Sequence, residues 1–278
     1  MISFFIPGFY LLYSRLKRKS EVVSLLIIYP IFLIVALLLF TEVDTLQLIL
    51  SFIIAWMAWL AAYEIGYLEN DAITIKKESN PTLRMKPNEI LWVQENFLKI
   101  QIIRGLIAAT ILFLLYQFFD HLLVTKDFLI FVGCIIAARF FFYMHNTIRS
   151  RWNIATYVLL STTKYMSLPL LFTYYIERSP ELFIALFLSF PVIRTIEHAA
   201  KTKYNIQWVI QLVGNIDFFR LKYYTVGLIT SLLCYLVWDY HNAIVFIYTF
   251  GYFFIFRFLN VLLVSSGTYI RTKSRAHK

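Results

Sequence analysis

Between Tyr63 and Arg84 the chain places Glu64, Glu69, Asn70, Asp71 and Glu78, a set of hard oxygen donors, beside the cations Lys76, Lys77 and Arg84. This mixture suits a divalent cation together with a phosphorylated ligand. Mg²⁺ favours one or two carboxylates completed by water and substrate phosphates over an all-protein cage. Asn70, Asp71 and Glu78 are therefore the expected metal ligands, set against a pyrophosphate. Arg84 can fork onto phosphate oxygens, and Lys76 or Lys77 adds a point charge.

The elements that must position these residues are read from composition. The chain has 278 residues and is 60% hydrophobic, with a mean hydropathy of +0.69. Several apolar runs reach the roughly 20 residues that cross a bilayer as a helix. The alternation of a membrane β-barrel is absent. The expected fold is an all-α polytopic bundle, with eight apolar segments at about 22–40, 46–68, 97–119, 127–144, 153–175, 181–198, 222–238 and 241–265. It is expected to form a single transmembrane domain over 1–278, with 1–20 an interfacial N-terminal segment. The order of an apolar stretch followed by a basic cluster, Arg15 to Lys19, is the reverse of a cleavable signal.

A net charge of +10 raises nucleic acid as a partner in a soluble chain. Here most of the 26 Lys and Arg residues fall in loops on one side of the eight segments. That is the orientation bias of membrane proteins, so both termini are expected in the cytoplasm and no nucleic acid is expected as partner. Compact loops without targeting signals suggest a bacterial inner membrane. Cys134 and Cys234 both lie in apolar runs, as packed thiols do.

Charges inside apolar segments are costly and tend to mark function. Glu64, Arg104, Arg139, Lys164, Arg194, Glu197 and Arg257 all lie within or at the ends of these segments, most of them in the cytoplasmic half. One polar cavity opening to the cytoplasm and narrowing into an apolar chamber is the simplest arrangement. Arg139, Arg194 and Arg257 are its expected anion-binding cations. Arg104, Arg139 and Arg194 lie near segment ends and can instead reach to headgroups. Arg194 and Glu197, three apart on a helix, can pair with each other.

The stretch Asn70-Asp71-Ala-Ile-Thr74-Ile-Lys-Lys-Glu78 resembles the first acidic motif of the UbiA superfamily of intramembrane prenyltransferases, Asn-Asp-x-x-Asp-x-x-x-Asp after the second span. Thr74 stands in the third motif position and Glu78 in the fourth. Arg84 resembles the family's downstream basic residue, and Lys164 its lysine on the fifth span. In the second acidic motif, after the sixth span, Glu197 takes the first place and Lys201 stands where the second carboxylate belongs. The resemblance implies Mg²⁺-dependent transfer of a prenyl group from a polyprenyl diphosphate to an acceptor, with Asp71, Lys164 and Glu197 catalytic. Where its carboxylates are missing, one Mg²⁺ with Lys201 and Arg194 can still bind the diphosphate.

Three functions remain open at this stage. They are such a transferase, or its variant moving a phosphoribosyl group onto a polyprenyl phosphate; a transporter of an anionic lipid; and a non-catalytic membrane partner. The five histidines show no metal-ligand spacing, and only His145 and His198 lie where they can join the pocket.

Overall fold

The computed structural model describes residues 2–77, 83–237 and 240–267. These residues are mostly helical, with no strand among them beyond an isolated bridge between Thr41 and Ile176. Ten helices are named here: α1 (Phe9–Ser14), α2 (Lys19–Phe40), α3 (Thr45–Lys76), α4 (Pro87–Phe119), α5 (Thr125–Thr147), α6 (Trp152–Leu170), α7 (Ser179–Ala199), α8 (Gln207–Val213), α9 (Ile216–Val237) and α10 (Ile244–Ser265). Six of them, α2, α3, α4, α5, α7 and α10 with the turn before it, are long and apolar enough to cross a membrane. The chain is on this ground a membrane protein. Helices α6 and α9 fall where the fifth and seventh segments were expected but carry more polar residues, Lys164 in one and Asp217, Arg220 and Lys222 in the other.

Helix α4 begins ten residues earlier than hydropathy suggested. Pro87 occupies its first position, where a missing N–H costs nothing. The Glu89 carboxylate turns back to accept from the Lys86 N–H at 2.8 Å. Pro191 lies in a widened turn, Leu188–Val192, and Pro30 in a similar one, Ile27–Ile31. A proline removes a backbone donor and crowds the preceding turn, and a π-turn relieves both.

The chain divides into two compact units, one of residues 1–149 and 167–176, the other of 150–166 and 177–278. In the first, α3 packs on α4 and α5. Gly66 lets the backbone of α3 approach the Phe142 ring so closely that a Cβ would collide with it. Tyr63 and Tyr67 meet the same ring edge-on, at 4.9 and 5.2 Å between centroids. In the second, α9 packs on α10 and α7 on both α8 and α9. Gly227 repeats the device of Gly66, giving its side-chain space to the Phe250 ring. The widened turn of α7 leaves carbonyls free at Leu188 and Ser189. They accept hydrogen bonds from the hydroxyls of Tyr223 and Tyr224 on α9, at 2.7 and 2.8 Å.

Candidate functional site

The first unit gathers its charges around the end of α3. After Leu68 the helix widens into a π-turn, Glu69–Ile73, and this turn carries Asn70 and Asp71. Such turns leave backbone carbonyls to be satisfied from elsewhere, and Asn146 Nδ2 donates to the Gly66 carbonyl at 3.0 Å. Asp71 is 1% exposed. Its Oδ1 accepts from Arg84 Nη1 at 2.9 Å, Arg15 Nη2 at 3.0 Å and Asn70 Nδ2 at 2.9 Å. Its Oδ2 accepts from Arg15 Nη2 at 2.8 Å and the Tyr10 hydroxyl at 2.7 Å. Burial, and then the Asp71 charge, push the Tyr10 phenol well above its usual range.

A carboxylate offers about four lone-pair sites. These five contacts use that capacity, and two guanidiniums neutralise the charge that would draw a metal. Asn70 and Asp71, as arranged, do not fit Mg²⁺. Among the described residues no group of three or more His, Cys, Asp or Glu could hold a metal ion. Glu78, the third expected ligand, and the side chain of Lys77 lie outside the described residues. Thr74, in the third motif position, is buried, and its hydroxyl points back to the Asn70 carbonyl at 3.5 Å.

Glu64 and Arg104 are fully buried and pair at 2.9 Å. They clasp the N-terminal segment. Glu64 accepts from the Gly8 and Leu11 amides at 2.9 and 2.6 Å. Arg104 donates to the carbonyls of Phe4, Ile6 and Ala61 at 2.7, 3.0 and 3.1 Å. Neither is spared for a ligand, and Arg104 does not reach to headgroups. Arg139 lies 3.6 Å from Glu69.

The second unit gathers Arg194, Glu197, His198 and Lys201 around a cavity of about 320 Å³, which Tyr157 and Gly214 also line. Glu197 meets Arg220 as a fork, through Nε to Oε1 and through Nη2 to Oε2 at 2.6 Å. The same Oε2 accepts from Arg194 Nη1 at 3.1 Å, the expected pairing within α7. Arg257 lies within electrostatic reach of Arg194, Glu197 and Arg220, and its buried Nε has no hydrogen-bond partner. Lys164 lies near Tyr157, with Nζ 5.3 Å from the centre of the Tyr165 ring.

His198 is buried and stacked flat on Tyr157 at 4.1 Å. Lys201 Nζ lies 3.1 Å from its Nδ1. An ammonium can only donate, so Nδ1 accepts and the ring proton sits on Nε2. That proton points to the Tyr204 oxygen at 2.6 Å, and the Tyr204 hydroxyl in turn donates to Asn153 Oδ1 at 2.5 Å.

The expected site residues thus fall in two units. Asn70, Asp71, Arg84 and Arg139 belong to the first, and Lys164, Arg194, Glu197, Lys201 and Arg257 to the second. Sequence reasoning missed Tyr10, Arg15 and Arg220. Arg15 falls in the basic cluster after the N-terminal apolar stretch, and Arg220 lies just outside the expected segment 222–238. The signal that could have found them is arithmetic: each buried carboxylate needed a cation, and these arginines lay at the segment ends.

No protein-family model matches the chain, and no curated protein or solved structure matches it either.

Proposed function

We propose that the chain is a membrane transferase resembling the UbiA superfamily, acting on a polyprenyl diphosphate whose phosphate is received in the second unit. The observation that carries this reading is the cavity beside Glu197. Arg194 and Lys201 line it with Glu197, and Arg220 and Arg257 lie within electrostatic reach of that carboxylate. In this reading the chain crosses a bacterial inner membrane eight times, α6 and α9 included. Both termini are cytoplasmic, and the cavity lies at the cytoplasmic end of the sixth span.

Transfer breaks the bond between the prenyl carbon and the phosphate oxygen. The electron pair leaves with the diphosphate, and the acceptor bonds to carbon and gives up its proton. Arg194 and Lys201 face the departing charge, and Glu197 with Arg220 fixes the plane of the Arg194 guanidinium. Charge stabilisation of this kind is commonly the largest contribution to such reactions. Tyr157 offers a ring face beside the cavity, where a developing carbocation is attracted. Mg²⁺ has no part in this reading, because Asp71 and Glu197 are each held by two arginines.

The test is transfer of labelled farnesyl diphosphate to a panel of quinone-precursor and lipid acceptors by the purified protein. Arg194→Gln should lower turnover by about 100-fold or more, the usual scale for removing one donor to developing charge. If no acceptor is labelled by the wild type, the transferase reading is withdrawn. A second reading, phosphoribosyl transfer onto a polyprenyl phosphate, is favoured by the engagement of Glu197 with two arginines, which leaves a site richer in cations than in carboxylates. Product formed from a phosphoribosyl donor, and not from a prenyl diphosphate, would select it.

A further inference from the structure

A larger hollow, of about 1030 Å³, runs along α9. On that helix Phe218, Lys222, Val226, Thr230 and Cys234 line it. They recur at every fourth position and so form one stripe. At 1.5 Å per residue the stripe is about 24 Å long. Leu188 of α7 and Phe246 and Phe250 of α10 close the hollow from the other side. Tyr223 and Ser231 line it too, but their hydroxyls donate to the Leu188 and Gly227 carbonyls, both at 2.7 Å. The wall between the two ends is therefore largely apolar. Helix α9 packs on α10, one of the six helices long and apolar enough to cross a membrane, which puts the hollow at membrane depth.

The ends differ. Gln211, Asn215 and Lys222 line one of them. Among the described residues Lys222 is the one charged side chain on the wall, and none of them pairs with it. Asn215 Oδ1 accepts from the Asp217 and Phe218 amides at 2.9 and 3.3 Å, which leaves its Nδ2 as a donor. Asp217 itself does not line the hollow. Leu212, on the wall at this end, and Trp208, one turn before it on α8, are both exposed, while Val209 and Val213 bury the opposite face of α8 against Ala199. An exposed tryptophan suits the headgroup level of a bilayer, and the long stem of Lys222 lets its ammonium reach that level. At the other end, Cys234, Tyr240 and Ala243 bring no cation.

One cation and two amide donors at headgroup level, beside an apolar trough, complement an amphiphile with one negative charge. Half of the bilayer core is about 15 Å deep, so a chain entering from one leaflet fills the nearer part of the stripe. We propose that the hollow seats one anionic glycerophospholipid of the bilayer. Its phosphate lies at Lys222, Gln211 and Asn215, and one acyl chain lies along Val226 and Thr230. The lipid comes from the leaflet on the side of Lys222 and covers a helix more polar than its neighbours. The site makes no use of the cavity beside Glu197, so it stands or falls apart from the transferase reading.

The experiment gives the full chain, in a neutral detergent, equal amounts of phosphatidylglycerol and phosphatidylcholine with the same oleoyl chains. Native mass spectrometry reads the first lipid retained. Phosphatidylglycerol should be favoured about fivefold, the scale of one lysine at an anionic headgroup. Lys222→Gln should abolish the preference. Lys203→Gln, the same charge change on a residue that does not line the hollow, should keep it. Val226→Trp, at a wall position that is 64% exposed, should lower retention of both lipids. Ile229→Trp, exposed on the same helix but not on the wall, should leave retention unchanged.

Equal retention of the two lipids by the wild type would overturn the proposal, as would equal loss of preference in the two lysine variants. Undiminished retention in Val226→Trp would also overturn it. So would a dimer that sheds the lipid, since a second copy of the chain would then fill the hollow. Thermal unfolding of each variant separates a lost site from a lost fold.

Discussion

A single carboxylate can be a metal ligand or the centre of a cation cluster, and its neighbours decide which. Asp71 has Arg15, Arg84 and Tyr10 on it. Arg15 also lies over the Tyr67 ring at 4.4 Å, a second attraction that keeps its guanidinium in place. The Tyr10 hydroxyl gives this cluster a pH signature. Burial and the Asp71 charge raise its pKa in the folded state, whereas an unfolded tyrosine ionises at about pH 10. The native chain keeps a proton that the unfolded chain gives up above that pH. The contribution is therefore complete below about pH 10 and is lost as pH rises beyond it. Thermal unfolding between about pH 9 and pH 11 should show stability falling with pH. Tyr10→Phe should flatten that fall. An unchanged slope in the variant would mean that Tyr10 titrates as freely in the fold as out of it.

At the scale of helices, two close approaches set the packing, Gly66 against Phe142 and Gly227 against Phe250. Each glycine gives its side-chain volume to an aromatic ring of a neighbouring helix. Gly227→Ala should destabilise the second unit by about 1–3 kcal/mol, as overpacked cores commonly do. Combining it with Phe250→Leu should restore part of the loss, and equal stability of Gly227→Ala and wild type would contradict the close packing. The apolar runs of α2, α3, α4, α5, α7 and α10 were legible because hydropathy over a long window is a strong signal. The first ten residues of α4 were not, since polar residues flank the short run 90–93 and the start is held by a proline and the Glu89 cap. The pairing of Arg194 with Glu197 was legible because it spans one helical turn. The partners of Asp71 and of Glu197 on distant helices were not. Arg15 is 56 residues from Asp71 and Arg220 is 23 from Glu197, and no local pattern reports such separations.

For the molecule as a whole, the proposed arrangement of eight crossings assigns a side to every loop. Lys76 and Lys126 are both exposed and stand on opposite sides in that arrangement. After replacement of Cys134 and Cys234 by serine, Lys126→Cys should react with an impermeant maleimide from outside the cell. Lys76→Cys should react only after the membrane is opened. Reaction of both from one side would break the eight-span assignment while leaving the six apolar helices intact.

The two units divide the chemistry unequally. In the first, buried carboxylates and arginines satisfy one another around the N-terminal segment, as Glu64 and Arg104 do around Gly8 and Leu11. In the second, Arg194, Glu197 and Lys201 line a cavity of about 320 Å³. The central claim is that the phosphate is held there and not at Asp71. It is tested most directly by binding farnesyl diphosphate to wild type, Arg194→Gln and Asp71→Asn, with the stability of each measured in parallel. The account predicts that Arg194→Gln loses affinity about tenfold or more. Asp71→Asn should bind as wild type does, and should be less stable by about 3 kcal/mol because two arginines lose a buried partner. Intact binding in Arg194→Gln, with loss in a folded Asp71→Asn, would contradict it.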